Sequence, residues 1–241
     1  VRRGKLPAAV MHCIVGFALL FLLGTRLAYA EIFGIAAGVC LSMALTRQWN
    51  VRALAVVLLV IARGHVRWTA RMIANAALCL ALAFVLSYIK LFDLPQGGAV
   101  TAASLLPIIA FAYSYGLAPG LVVGVAYGLL QMIQDPWIVS PVQAILDYPL
   151  AFACIALAAV ARKLPDSWGW LAGIALGGVG RFVCHVLSGV VFFAEYAEGT
   201  GMSPLVYSVS YNSFVFVDLA ICAVVMAFPQ VRRALKKMTE R

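Results

Sequence analysis

The sequence predicts an all-α membrane protein: a bundle of six spanning helices over residues 71–241, preceded by an extension over residues 1–70 with about two further apolar helices. Three observations carry that expectation. Hydrophobic residues fill 64% of the 241 positions and charged residues only 11%. Soluble domains carry about 25% charged residues, and no soluble fold of this size could bury so much apolar surface. The apolar residues form runs near the ~20 needed for a helix to cross a hydrocarbon core. Lys and Arg gather in short clusters between those runs, as orientation signals do. The net charge of +9 therefore points to a membrane and not to nucleic acid.

In order, the runs are 7–24, 28–46, 72–91, 102–115, 117–134, 141–161, 168–194 and 204–229. Residues 1–24 have the charge and apolar core of a signal peptide. Apolar sequence resumes at once, so the segment reads equally as an uncleaved span. Between the second and third runs lies RQWNVRALAVVLLVIARGHVRWTAR. Its short apolar core and basic flanks predict an interfacial or re-entrant helix. Arg47, Arg52, Arg63, Arg67 and Arg71 cluster before the third run, and Arg162 and Lys163 follow the sixth. Arg232, Arg233, Lys236, Lys237 and Arg241 close the chain. The connections near 92–101, 135–140 and 195–203 carry Asp93, Asp135, Glu195 and Glu198 and no Lys or Arg. Six spans from Arg71 with both ends cytoplasmic satisfy every cluster. Lys90 then snorkels from the outer edge of its span. The six cysteines stand singly in apolar context and read as buried thiols, with no metal spacing among them.

Two runs carry glycines four apart: Gly116, Gly120, Gly124, Gly128, and Gly169, Gly173, Gly177. Small residues at this spacing let helices approach closely in lipid. The second row continues in steps of four as Arg181, His185, Gly189 and Phe193, so a packing stripe becomes a polar stripe. Ionisable residues inside a span are costly and face an interior or a cavity. Asp147, Tyr148, His185, Tyr207 and Asn212 all fall toward the outer ends of their spans. Together with Phe193, Tyr196, Tyr211 and Trp137 they would make a site for a small, planar, hydrogen-bonding solute, and Asp147 suits a cationic one. Plainer uses compete: a boundary Trp or Tyr is an interface anchor, and a lone Asn bonds neighbouring helices. Arg181 and Asp218 fall at similar depths and are expected to form a structural ion pair. No GxxxxGK[ST], GxSxG or HExxH occurs, and no motif marks Ser188, Ser208 or Ser213 as a nucleophile for His185. No enzyme chemistry, cofactor or metal is expected.

The stretches ALAFVLSYIKLFDLPQGGAV, AYGLLQM, VQAILDYPLAF, RFVCHVLSGVVFFAEYA and YSVSYN occur in an order and at separations that resemble the ThiT (YuaJ) family, the thiamine-specific S components of energy-coupling factor (ECF) transporters. The resemblance runs from about Met72 to Arg241. It implies a six-helix S-component bundle in the bacterial plasma membrane with a cytoplasmic C-terminus, binding thiamine with high affinity from outside. It also implies partners: a transmembrane coupling subunit and two ATPase subunits, which alone would use ATP. By motif, the ligand-binding residues it implies are Asp147 with Tyr148, His185 with Gly189, Phe193, and the Tyr207 and Asn212 of Y-x-x-x-x-N. Asp147 and Phe193 stand where the family's better-known members have Glu and Trp. Residues 92–101 correspond to a loop over the pocket, with Gly98 or a neighbour in place of an aromatic. Ala77 and Ala81 form an AxxxA pattern that would dock on the coupling subunit. An S component for another vitamin or a thiamine precursor is the alternative, with a membrane enzyme or independent channel further off.

Overall fold

A computed structural model describes residues 68–95 and 97–239, which form one unit. The expected spans 7–24 and 28–46 and the basic segment after them lie outside the described residues. Helix α1, Ala70–Ser87, starts where the Thr69 hydroxyl accepts a hydrogen bond from the Met72 amide at 3.2 Å. Met72, Ala76, Cys79, Ala83 and Ser87 form its buried stripe. Its other face exposes Ile73, Leu78, Leu82 and Val85, which suits lipid and not water. Strands β1, Lys90–Asp93, and β2, Ala99–Thr101, then pair antiparallel. Helix α2 is Leu106–Tyr115, helix α3 Leu117–Gln134, helix α4 Pro141–Lys163 and helix α5 Asp166–Phe192. Helix α6, Pro204–Asn212, continues after a break at Ser213 as α7, Phe214–Ala227. Helix α8, Pro229–Thr239, is the last described element. Among the described residues five helical stretches are long and apolar enough to cross a bilayer, counting α6 and α7 as one, and α2 is a shorter sixth.

The expected 102–115 span is a helix only from Leu106. Chain before it is taken by β2 and a bend in which Ala103 adopts a positive φ of 59°. Every residue of α2 from Leu106 to Ser114 is buried, so this helix is the axle of the bundle. The first span stops at Ser87 and not at 91, which moves Lys90 into β1. There it bridges Asp93 at 3.0 Å and Asp135 at 2.7 Å instead of snorkelling. These bonds, to Asp135 first, raise its pKa above the usual lysine value. Its contribution is thus complete below the ordinary value and lost only as pH rises through the raised one, so the bridge persists at neutral pH.

The glycine rows seat helices against one another. A side chain at Gly124 would strike the backbone of Phe152 and Ala153, and one at Gly128 the backbone of Tyr148 and Pro149. Helix α3 therefore lies against α4 at backbone contact distance. Gly169, Gly173 and Gly177 bring α5 against Tyr113, Ala158 and Ile155. Within α4, Leu146–Leu150 form one wide π turn around Pro149. Proline cannot donate to the helical ladder, and such turns gather at functional sites. This one turns Asp147 and Tyr148 inward.

Basic and acidic groups separate by end. Asn75 at the start of α1 donates to Tyr115 Oη at the end of α2, at 2.5 Å. Arg71 donates to the Lys237 carbonyl at 2.6 Å, and Arg162 lies beside Gly116. These cations therefore share one end, with α8. Asp93 and Asp135 flank the β hairpin at the other.

Candidate functional site

A cavity of about 160 Å³ opens at the hairpin end, between the hairpin and helices α3 to α7. All nine residues the sequence proposed for the ligand line it: Gly98, Trp137, Asp147, Tyr148, His185, Gly189, Phe193, Tyr207 and Asn212. Arg181 and Asp218 line its deeper part.

Asp147 organises one wall. Its carboxylate accepts hydrogen bonds from Gln143 Nε2 at 2.6 Å and Ser188 Oγ at 2.5 Å, and meets His185 Nδ1 at 3.0 Å. Gln143 also donates to the Trp137 carbonyl and accepts from the Val139 amide, so one side chain ties the 135–140 connection to the carboxylate. A carboxylate at Nδ1 holds the neutral imidazole in the tautomer whose Nε2 is an acceptor. That Nε2 is buried and has no partner among the described residues. Tyr148, expected to meet ligand, uses its hydroxyl elsewhere: it accepts from the Trp137 amide at 2.7 Å and donates to the Asp135 carbonyl at 3.0 Å. It lines the cavity through its ring.

On α6 and α7, Asn212 donates to the Ser208 carbonyl at 2.9 Å, and Tyr207 stacks on Tyr211 with centroids 6.2 Å apart. A side chain at Gly189 would collide with Ser208 Oγ, so this glycine lets α6 close on α5 as well as lining the cavity. Phe193 lies one residue past the end of α5 and stacks on Tyr196 at 5.9 Å.

The hairpin roofs the cavity. Gly97 and Gly98 have φ of +84° and +89°, a region open to glycine. A Cβ at Gly97 would sit 3.2 Å from the Trp137 ring, and one at Gly98 3.1 Å from Phe214. Phe214 thus lies directly against the hairpin tip and also lines the cavity. The Tyr211 hydroxyl donates to the Gly97 carbonyl at 2.9 Å. At the hairpin root, Asp218 accepts from the Thr101 amide at 2.8 Å, and its other oxygen meets Arg181 Nη1 at 3.3 Å. The guanidinium lies over the rings of Phe152 and Phe214, at 4.9 and 5.8 Å.

Sequence reasoning missed Gln143, Ser188 and a second polar cluster. In that cluster Gln131 donates to Ser87 Oγ at 3.0 Å, and Ser87 donates to Gln134 Oε1 at 2.9 Å. Helical spacing marks the first two, four residues before Asp147 and three after His185. Ala77 and Ala81 lie on the exposed face of α1. Among the described residues no group of His, Cys, Asp or Glu could hold a metal.

A polar cavity with an aromatic rim, set inside a bundle of spanning helices, defines a multi-pass membrane protein that takes a small solute. Comparison with known proteins places it further. The family model for the thiamine transporter protein (Thia_YuaJ) matches residues 72–238. The thiamine transporter ThiT of Bacillus subtilis is 30% identical over 180 residues, which are 66% of this chain and 93% of the relative. ThiT of Lacticaseibacillus paracasei is 30% identical over 159 residues, 58% of this chain and 76% of the relative. A solved structure of ThiT from Listeria monocytogenes superimposes with a TM-score of 0.60 at 24% identity, covering 70% of this chain and 96% of that one. The chain belongs to the thiamine transporter protein (Thia_YuaJ) family, a family of transport and not of catalysis.

Proposed function

We propose that this protein is the substrate-binding membrane subunit, or S component, of an ECF-type importer. It binds thiamine tightly at the extracellular side and delivers it through a coupling subunit and two ATPase subunits, with its own C-terminus in the cytoplasm. Family membership supports the ligand, and one observation in the site carries it furthest. The imidazole of His185, a cavity-lining residue, is clamped through Nδ1 by Asp147, and its buried Nε2 has no partner among the described residues. An unpaired buried polar group costs about 1–3 kcal/mol, and a ligand N–H relieves that cost. Thiamine has an aminopyrimidine to supply the N–H, a cationic thiazolium and a hydroxyethyl tail.

Charge and shape fit the same ligand. Among the cavity-lining side chains two cations, Lys90 and Arg181, face three carboxylates, Asp135, Asp147 and Asp218. The excess is negative and favours a cation. The stacked pairs Phe193–Tyr196 and Tyr207–Tyr211 offer flat surfaces to planar rings. Asp147 binds mainly by holding His185 and by its charge, since Gln143, Ser188 and His185 occupy most of its acceptor capacity. The mutually bonded Ser87, Gln131 and Gln134 make a polar wall of the cavity against which a hydroxyethyl tail would lie.

Trp137, half-exposed on the cavity wall, reports on binding. Thiamine titrated into the purified chain in detergent quenches tryptophan fluorescence, and Asp147→Ala removes the quenching. Unchanged affinity in Asp147→Ala would overturn the site. Quenching by an unrelated vitamin but not by thiamine would overturn the ligand.

A further inference from the structure

We infer that the basic face of α8 is a docking surface for anionic phospholipid headgroups in the leaflet it borders. The geometry sets this helix in the plane of the membrane surface. Helix α7 is an apolar span ending at Ala227, and α8 begins at Pro229, so a single residue, Phe228, joins them. No loop is long enough to carry α8 away from the interface. Its far end is held across the bundle, where the Lys237 carbonyl accepts from Arg71 Nη2 at 2.6 Å. Arg71 opens α1. A helix tethered at the foot of α7 and bonded at the foot of α1 lies across the spans.

The side chains divide by face. Val231, Leu235 and Met238, at helical spacing, are half-buried, on the side where α8 packs against α2 and α7. Arg232, Arg233, Lys236 and Lys237 are exposed. The helix holds no acidic residue, and Arg162 and Lys163 are exposed at the same end. Two arginines also brace the backbone: Arg232 Nε donates to the Met226 carbonyl at 3.0 Å and Arg233 Nε to Pro229 at 3.4 Å. A guanidinium carries five N–H donors, so each exposed arginine keeps donors for an anion after its Nε bond. Basic clusters beside a span attract anionic headgroups. A second copy of the same helix would meet like charge. A lipid surface is the occupant this position and charge select, and it owes nothing to the ligand cavity at the opposite end.

The test uses the full chain in a neutral detergent, titrated with fluorescent phosphatidylglycerol or phosphatidylcholine. Phosphatidylglycerol should bind more tightly, and less so as salt rises. The R232Q/R233Q/K236Q/K237Q variant should lose at least about tenfold in phosphatidylglycerol affinity. The charge-preserving R232K/R233K/K236R/K237R variant should keep it, which separates charge from folding. Equal binding of both lipids, or an undiminished preference in the glutamine variant, overturns the inference. So does displacement of phosphatidylglycerol by a soluble polyglutamate peptide, which would assign the face to an acidic protein.

Discussion

At Arg181 the chain sets a guanidinium among two phenylalanine rings and one carboxylate, with its buried Nε unpaired among the described residues. Breaking a buried ion pair from one side costs about 3–5 kcal/mol, whereas replacing both partners by apolar groups is often neutral. Asp218→Leu should therefore lower the melting temperature sharply in detergent, and Arg181→Leu/Asp218→Leu should recover most of the loss. A double variant as unstable as the single one would show that the pair is no lock. This pairing was legible in the sequence because a charge inside a span needs a partner at its own depth. Gln143 and Ser188 were marked only by their helical spacing from Asp147 and His185, a weak sign because an uncharged polar side chain in a span is not forced to find a partner at its own depth. Tyr148 was legible as a cavity residue but not in its task. Only coordinates show that its hydroxyl is spent on the backbone of Asp135 and Trp137.

Helices α3 and α4 meet through glycines, and what lies opposite each glycine grades its importance. A methyl at Gly128 would press into the carbonyl of Tyr148, which cannot move without shifting the wide turn that presents Asp147. A methyl at Gly173 would sit 3.1 Å from the Tyr113 ring edge, where a small adjustment suffices. Gly128→Ala should cost about 1–3 kcal/mol by overpacking and weaken ligand binding as well. Gly173→Ala should stay within about 1 kcal/mol, with gained helix propensity offsetting the contact. Equal melting temperatures and affinities for the two would refute this ranking. The spans and their packing rows were legible from hydropathy and glycine spacing. The hairpin was not, because the Pro- and Gly-rich sequence between β1 and β2 reads simply as loop. Nor was the wide turn, since a lone Pro149 in an apolar run signals a kink without its geometry.

Among the described residues the basic clusters gather at one end of the bundle, and the direction of that end in the membrane can be measured. In a background lacking native cysteines, Glu198→Cys should react with an impermeant maleimide on intact cells, and Lys163→Cys only after the membrane is opened. The reverse labelling would invert the bundle. One further consequence follows from the brevity of α2. Its ten residues rise about 15 Å at 1.5 Å each, roughly half the ~30 Å of hydrocarbon. The remaining depth on that line is occupied by the hairpin root and its bend, and non-helical backbone at membrane depth is tolerated only where it is buried in protein or lines an aqueous cavity. The hairpin root, bonded to Asp218 beside the cavity, meets that condition, so on this line the insulating barrier is the ten-residue helix alone.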